Sequence, residues 1–180
     1  MTKYYTGRGD DGTTGILSGR RVGKSDALIE AIGDLDELNS AVGVALLGIK
    51  DQTVEVELRA IQNDLFVLGA NLAYANESKS EKAQIKPKAL RRLESSIKNL
   101  DEKTPDLKRF VLPGGSACAA NLHLARAIAR RAERRVIAAG KEYKIERGVV
   151  AYLNRLSSYL FAAAIYVNMR AKVDERHPKY

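Results

Sequence analysis

Between Ser116 and Gly140 the chain contains neither glycine nor proline, and this stretch constrains the fold more than any other. It predicts one helix of about six turns. Pro113-Gly114-Gly115-Ser116 in front of it reads as a turn closing into a helix N-cap. At about 100° per residue, Cys118, Leu122, Ala125, Ala129, Ala132 and Val136 fall on one stripe. Most are small, so a neighbouring helix can approach closely. A second face carries His123, Arg126, Arg130, Glu133 and Arg134, three guanidiniums with Glu133 as the one internal counter-charge. That face is either solvated or an anion site, since the guanidinium fork suits phosphate and carboxylate oxygens.

The 180 residues suffice for one domain with a sizeable core. Tryptophan is absent and Leu and Ala are abundant, which favours an all-helical protein. Thirty basic against 22 acidic side chains leave a net charge of +8, so an acidic partner is expected: nucleotide, nucleic acid or anionic membrane. Cys118 is the only cysteine, which excludes an internal disulfide and fits a buried apolar role in a reducing compartment. The opening MTKYYTGRGDDG lacks the apolar core of a signal peptide. No segment reads as a membrane span. The expectation is a soluble, cytoplasmic protein.

Residues 1–25 read as irregular, with Gly7, Gly9, Gly12, Gly15, Gly19 and Gly23 interleaved with Thr6, Thr13, Thr14, Asp10 and Asp11. Gly7–Gly12 fits a GxGxxG pattern, but no strand precedes it, so a Rossmann turn is rejected. Gly19–Ser25 is one residue short of a Walker A loop. The segment is either a phosphate cradle of N–H groups, hydroxyls and Lys24 or an unstructured basic tail. Asp26 can cap a helix over roughly 27–49, in which Asp36 is either solvated or in want of a cation. Thr53–Tyr74 forms a second helix in near-heptad register. Residues 76–86 form a polar loop, and Pro87 opens a third helix to about Leu100. A charged connector, 101–108, leads to the central helix. The last helix, about Arg147–Lys172, is apolar over much of its circumference, so Asn154 and Arg155 need partners. The tail 173–180 is expected to fray, and its His177 carries no signal.

Five helices and no strand predict an all-α, five-helix up-and-down bundle, with one domain spanning 1–180 and the bundle proper 26–172. The absence of a Glu-x-x-His pair excludes a di-iron bundle, no Cys/His cluster suggests zinc, and no hydrolytic triad can be assembled.

Four segments resemble the ATP:cob(I)alamin adenosyltransferases of the propanediol-utilisation type: YYTGRGDDGTTG, GDLDELNSAVG, RFVLPGGSACAANLHLARAIARRAERRV and YLNRLSSYLFAAAIYVN. They follow the family's order and span nearly the whole chain. The resemblance implies a homotrimer with ATP in a cleft between subunits and cobalamin, a corrinoid, as second substrate. By that similarity the glycine-rich segment wraps the triphosphate through Thr6, Gly7, Arg8, Gly9, Asp10, Gly12, Thr14, Gly15 and Lys24. Arg130, Glu133, Arg134 and Asn154 also contact ATP, and Mg²⁺ enters on the phosphates. Arg126 and Asp36 match a pair that bridges subunits, and Phe110 matches an aromatic beside the corrin ring. Asp11 departs from the pattern, since the family usually has Lys there.

The implied reaction is attack of cobalt(I) on the 5′ carbon of ATP, giving adenosylcobalamin and triphosphate. No protein nucleophile is needed, so the roles left to the protein are positioning and charge stabilisation. A cobalamin reductase and an adenosylcobalamin-dependent enzyme are the implied partners. The competing reading is a basic helical nucleic-acid-binding protein, using Arg126, Arg130, Arg131, Arg134 and Arg135 along phosphates.

Overall fold

The computed structural model describes residues 4–74 and 84–179; the expected loop at 76–86 lies mostly outside them. The elements are β1 (Thr13–Gly15), β2 (Arg21–Gly23), α1 (Ala27–Leu46), α2 (Gln52–Ala73), α3 (Pro87–Asp101), α4 (Ala117–Ala139) and α5 (Arg147–Arg170). Side chains start three of the helices. Asp26 accepts from Leu28 N, Asp51 from Thr53 and Val54 N, and Ser116 from Ala119 N, while Pro87 sits in the first turn of α3.

Cross-bonds fix the helix directions. Asn39 and Gln62 exchange bonds between side-chain amides and backbone carbonyls, which ties α1 to α2. Arg131 and Arg135 of α4 pair with Asp34 and Glu30 of α1. Ser116 and Glu133 of α4 meet Asn168 and Asn154 of α5. Ser96 and Arg92 of α3 reach Glu57 and Asp64 of α2, while Ile85 and Glu94 meet Gly148 and Arg155 of α5, so the helices alternate up and down, as expected. The alanine stripe of α4 is fully buried at Ala125, Ala129 and Ala132, which lets α4 lie close to both α1 and α5. Leucines from α1 and α2 and the aromatics Tyr152 and Tyr159 of α5 complete one core. Each such large side chain contributes roughly 1.5–3 kcal/mol on burial.

A charged cluster sits between α2, α3 and α5. Arg92 reaches Glu57 at 2.9 Å and Asp64 at 2.6 Å, and Tyr152 donates to Asp64 at 2.8 Å. Burial and the two acids push the Tyr152 hydroxyl pKa strongly upward, so it stays protonated.

Three expectations change. The first 25 residues contain a two-stranded antiparallel hairpin, with Thr14 opposite Val22. It closes through Gly19 at φ +86° and is anchored by Ile16 packed on the core. Strands of three residues leave no periodicity to read. The tail is tied rather than frayed: Leu112 N donates to Arg176 O at 2.7 Å, and Asn168 Nδ2 donates to Glu175 at 3.0 Å. Among the described residues α5 is long and apolar enough, by length and composition, to cross a membrane, although 56% of that window is buried in the bundle. Its apolarity is accounted for by packing.

Candidate functional site

The glycine-rich segment is a wound loop. Gly7 and Gly12 adopt φ +70° and +81°, a region that disfavours side chains. Asp10 N bonds Gly7 O, Gly12 N bonds Gly9 O, and Lys24 N bonds Gly12 O at 2.9 Å. A Cβ on Gly9 would stand 3.3 Å from Lys24 Nζ, so the ammonium rests directly over that glycine. Thr6, Arg8, Asp10, Thr14 and Gly15 occupy the same loop and its hairpin.

Arg21, which sequence reading overlooked, pins this loop. Its guanidinium donates to Arg8 O at 2.6 Å and to Thr13 Oγ1 at 3.1 Å. Asp11 is exposed but bonded within the loop, accepting from Thr13 N at 2.9 Å and Thr13 Oγ1 at 2.8 Å, with Arg21 at 3.5 Å. Those bonds, that from Thr13 N foremost, hold its carboxyl below the usual carboxylate range. The acid that departs from the family pattern is thus taken up within the loop. Nothing in the sequence marks Arg21 for this role.

Along the seam between α4 and α5 lie three hollows in series. The first, about 860 Å³, is lined by Phe110, Pro113, His123, Arg126, Phe161 and His177. The second, about 380 Å³, holds Arg126 and Arg130 with Ser157 and Ser158. The third, about 640 Å³, holds Glu133, Asn154 and Arg155. From His123 to Gly140 the helical rise is about 25 Å, long enough for an extended ligand. Phe110 is 79% exposed, an aromatic ring left at the mouth of the first hollow. Asn154 donates to Glu133 at 3.1 Å, Arg155 pairs with Glu94 at 3.1 Å, and Arg134 donates to the Arg130 carbonyl at 2.9 Å.

The basic face of α4 is divided. Arg131 and Arg135 are occupied by Asp34, Glu37 and Glu30 of α1, so two of the five arginines in the nucleic-acid reading already have acids. His123, expected on the polar face, is 3% exposed, packed edge-on against Phe161 and lining the first hollow with Phe110 and Pro113. Arg126 is half-buried and its Nε has no partner among the described residues. Burial, and then Arg130, lower its pKa, so an anion is wanted there.

Asp36 is exposed and stands elsewhere, in an apolar groove of about 440 Å³ between α1 and α2 with Leu17, Ile32, Phe66 and Ala70. Within one chain, then, Asp36 does not meet Arg126, and the glycine-rich loop lines none of the seam's hollows. Among the described residues, no group of three His, Cys, Asp or Glu side chains is placed to hold a metal.

A helical bundle with a glycine-wound, lysine-capped loop and an arginine-lined seam is suited to holding an anionic ligand of the nucleotide class. The family model for cobalamin adenosyltransferase matches residues 4–167. A corrinoid adenosyltransferase of Bacillus subtilis is 44% identical over 177 residues, 96% of this chain and 90% of that protein. The corrinoid adenosyltransferase PduO of Salmonella typhimurium is 39% identical over 161 residues, 89% of this chain but 48% of that longer protein. A solved variant of a PduO-type ATP:corrinoid adenosyltransferase from Lactobacillus reuteri, complexed with cobalamin and ATP, superposes with a TM-score of 0.93 at 36% identity, covering 99% of this chain and 100% of that one. The chain belongs to the cobalamin adenosyltransferase family and is an enzyme of the corrinoid adenosyltransferase type.

Proposed function

We propose that the chain transfers the 5′-deoxyadenosyl group of ATP to a cobalt(I) corrinoid, at clefts formed between the subunits of a homotrimer. The observation that carries this reading is the separation of its parts. A phosphate-type loop and Asp36 stand apart from the α4–α5 seam, where Arg126 is left without an anion. A head-to-tail contact that brings one copy's loop and Asp36 against another's seam would complete the site, and such a contact generates a ring when its rotation closes. The apolar groove around Phe66, itself 76% exposed, is a surface such a contact would cover.

In this reading the loop N–H groups, Thr6, Thr14 and Lys24 take the triphosphate. Arg130 meets the charge that grows on the leaving triphosphate, and Glu133, Arg134 and Asn154 hold the nucleotide. Phe110 and the first hollow take the corrin ring and keep water from the cobalt. The reacting bond forms between cobalt and the 5′ carbon as the carbon–oxygen bond to triphosphate breaks, and the corrinoid supplies the electron pair. Mg²⁺ would enter with the triphosphate and offset its charge beside the hydroxyl, amide and ammonium groups of Thr6, Thr14 and Lys24. A reducing cytoplasm, a cobalamin reductase upstream and an adenosylcobalamin-dependent enzyme downstream complete the setting.

The test is an anaerobic assay with ATP and chemically reduced cobalamin. The expected result is the adenosylcobalamin spectrum with one triphosphate per turnover; no adenosylated product would refute the reading.

A further inference from the structure

The first hollow contains a polar side chain that the reading above does not use. His123 is 3% exposed, and neither ring nitrogen meets a hydrogen-bond partner among the described residues. Its ring packs edge-on against Phe161, with centroids 5.9 Å apart. A phenylalanine would make the same contact without the desolvation penalty of two unpaired nitrogens, so packing alone does not account for an imidazole here. Burial, and then Arg126, push its pKa down, and the ring is neutral near pH 7. A neutral imidazole offers one donor and one acceptor. One turn away on the same wall, Arg126 Nε is also without a partner.

We propose that His123 is a specificity-determining contact of the corrinoid pocket, its imidazole exchanging hydrogen bonds with a carboxamide on the corrin periphery. The proposal rests on the corrinoid reading above. A primary amide is the group that answers a paired donor and acceptor, and the rim of a corrin is edged with acetamide and propionamide chains. A carboxylate would be drawn to Arg126 instead. Ligation of the cobalt by the imidazole is the rival role, but a nitrogen ligand favours the oxidised metal and would oppose formation of cobalt(I). Both nitrogens are buried although the residue lines the first hollow, so the contact requires the wall around His123 to yield.

The chain has two histidines, so ring-nitrogen NMR on ¹⁵N-histidine protein is tractable, with His177→Gln assigning the signals. Diamagnetic cobalt(III) cobalamin is added in the presence of ATP. The expected result is a shift of several ppm at both His123 nitrogens with one tautomer retained. Unmoved His123 signals at saturation, or a nitrogen bonded to cobalt, would overturn the proposal. In turnover, His123→Phe should raise KM for the corrinoid tenfold or more, leaving kcat and KM for ATP within twofold. His123→Gln, with an amide in place of the imidazole, should recover most of that loss. An unchanged corrinoid KM in His123→Phe, or a rise in both KM values that Gln does not rescue, would contradict it. If wild-type protein neither binds nor adenosylates cobalamin, the corrinoid reading itself fails; normal wild-type turnover with an unresponsive His123 removes the contact alone.

Discussion

Asn168, fully buried in α5, accepts through one oxygen from both the backbone N–H and the hydroxyl of Ser116, at 2.9 and 3.1 Å. Its amide donates to Gly114 O at 3.1 Å and to Glu175 at 3.0 Å. One side chain thereby holds the turn before α4, the cap of α4 and the tail that lines the Phe110 hollow. Asn168→Ala strands several buried groups and should cost about 1–3 kcal/mol, a fall in Tm of about 2–4 °C per kcal/mol for a chain of this size. Gly115→Ala should also destabilise, since its φ is +100° and a Cβ would lie 2.2 Å from the Asn168 amide. Wild-type melting temperatures in both variants would contradict this.

Arg126 and Asp36 should be energetically coupled although they do not meet within one chain. Losing either member of a desolvated pair costs about 3–5 kcal/mol because the other charge is stranded. Asp36→Asn and Arg126→Ala should each weaken trimer assembly or ATP affinity, and the charge-swapped double variant should recover part of the loss, with coupling of about 0.5–3 kcal/mol. Additive single effects would show that the two side chains never touch.

Arg130 is exposed and makes no ion pair with an acid among those described. Arg130→Ala should therefore change stability by no more than about 0.5 kcal/mol. Its effect on turnover should be about 100-fold or more, the usual consequence of removing a donor from a developing negative charge. Equal small effects on both would reduce Arg130 to a surface charge.

Asp51, which caps α2, gives a pH signature. Burial opposes its charge, but bonds from the Tyr166 hydroxyl and the N–H groups of Val54 and Thr53 outweigh that and hold its pKa low. A carboxyl depressed in the folded state stabilises above its unfolded pKa of about 3.9 and loses that contribution as pH falls through the folded value. The stability difference between wild type and Asp51→Asn should shrink steadily below about pH 4. A difference that stays independent of pH from about 2 to about 7 in urea titrations would rule out the charged cap.

The bundle was legible because α1, α2 and α4 carry their apolar residues at helical spacing, and the N-caps Asp26 and Ser116 stand where the sequence places them. The hairpin was not, since Thr13–Gly15 and Arg21–Gly23 are too short for alternation to register. The burial of His123 was hidden for a different reason. A helical wheel sets it beside Arg126 and Arg130, and its contact with Phe161 of a distant helix cannot be read from that spacing. Likewise Arg131 and Arg135 share a helix with Arg130, yet the acids of α1 neutralise them, a partnership between distant segments that spacing along one helix does not reveal. The residues given ligand roles by resemblance lie on two separate surfaces of the chain, so spacing along the sequence could not show how they would come together.

The central claim is that each cleft joins the loop of one copy to the seam of another, and subunit complementation tests it most directly. Lys24→Ala disables the loop and Arg130→Ala the seam, and each variant alone should form trimers with little activity. When the two are mixed under conditions that allow exchange, some clefts pair an intact loop with an intact seam. The account predicts that adenosylcobalamin formation reappears in the mixture, well above either variant alone. Mixed trimers as inactive as their parents would show that loop and seam serve the same copy, and the site between subunits would be wrong.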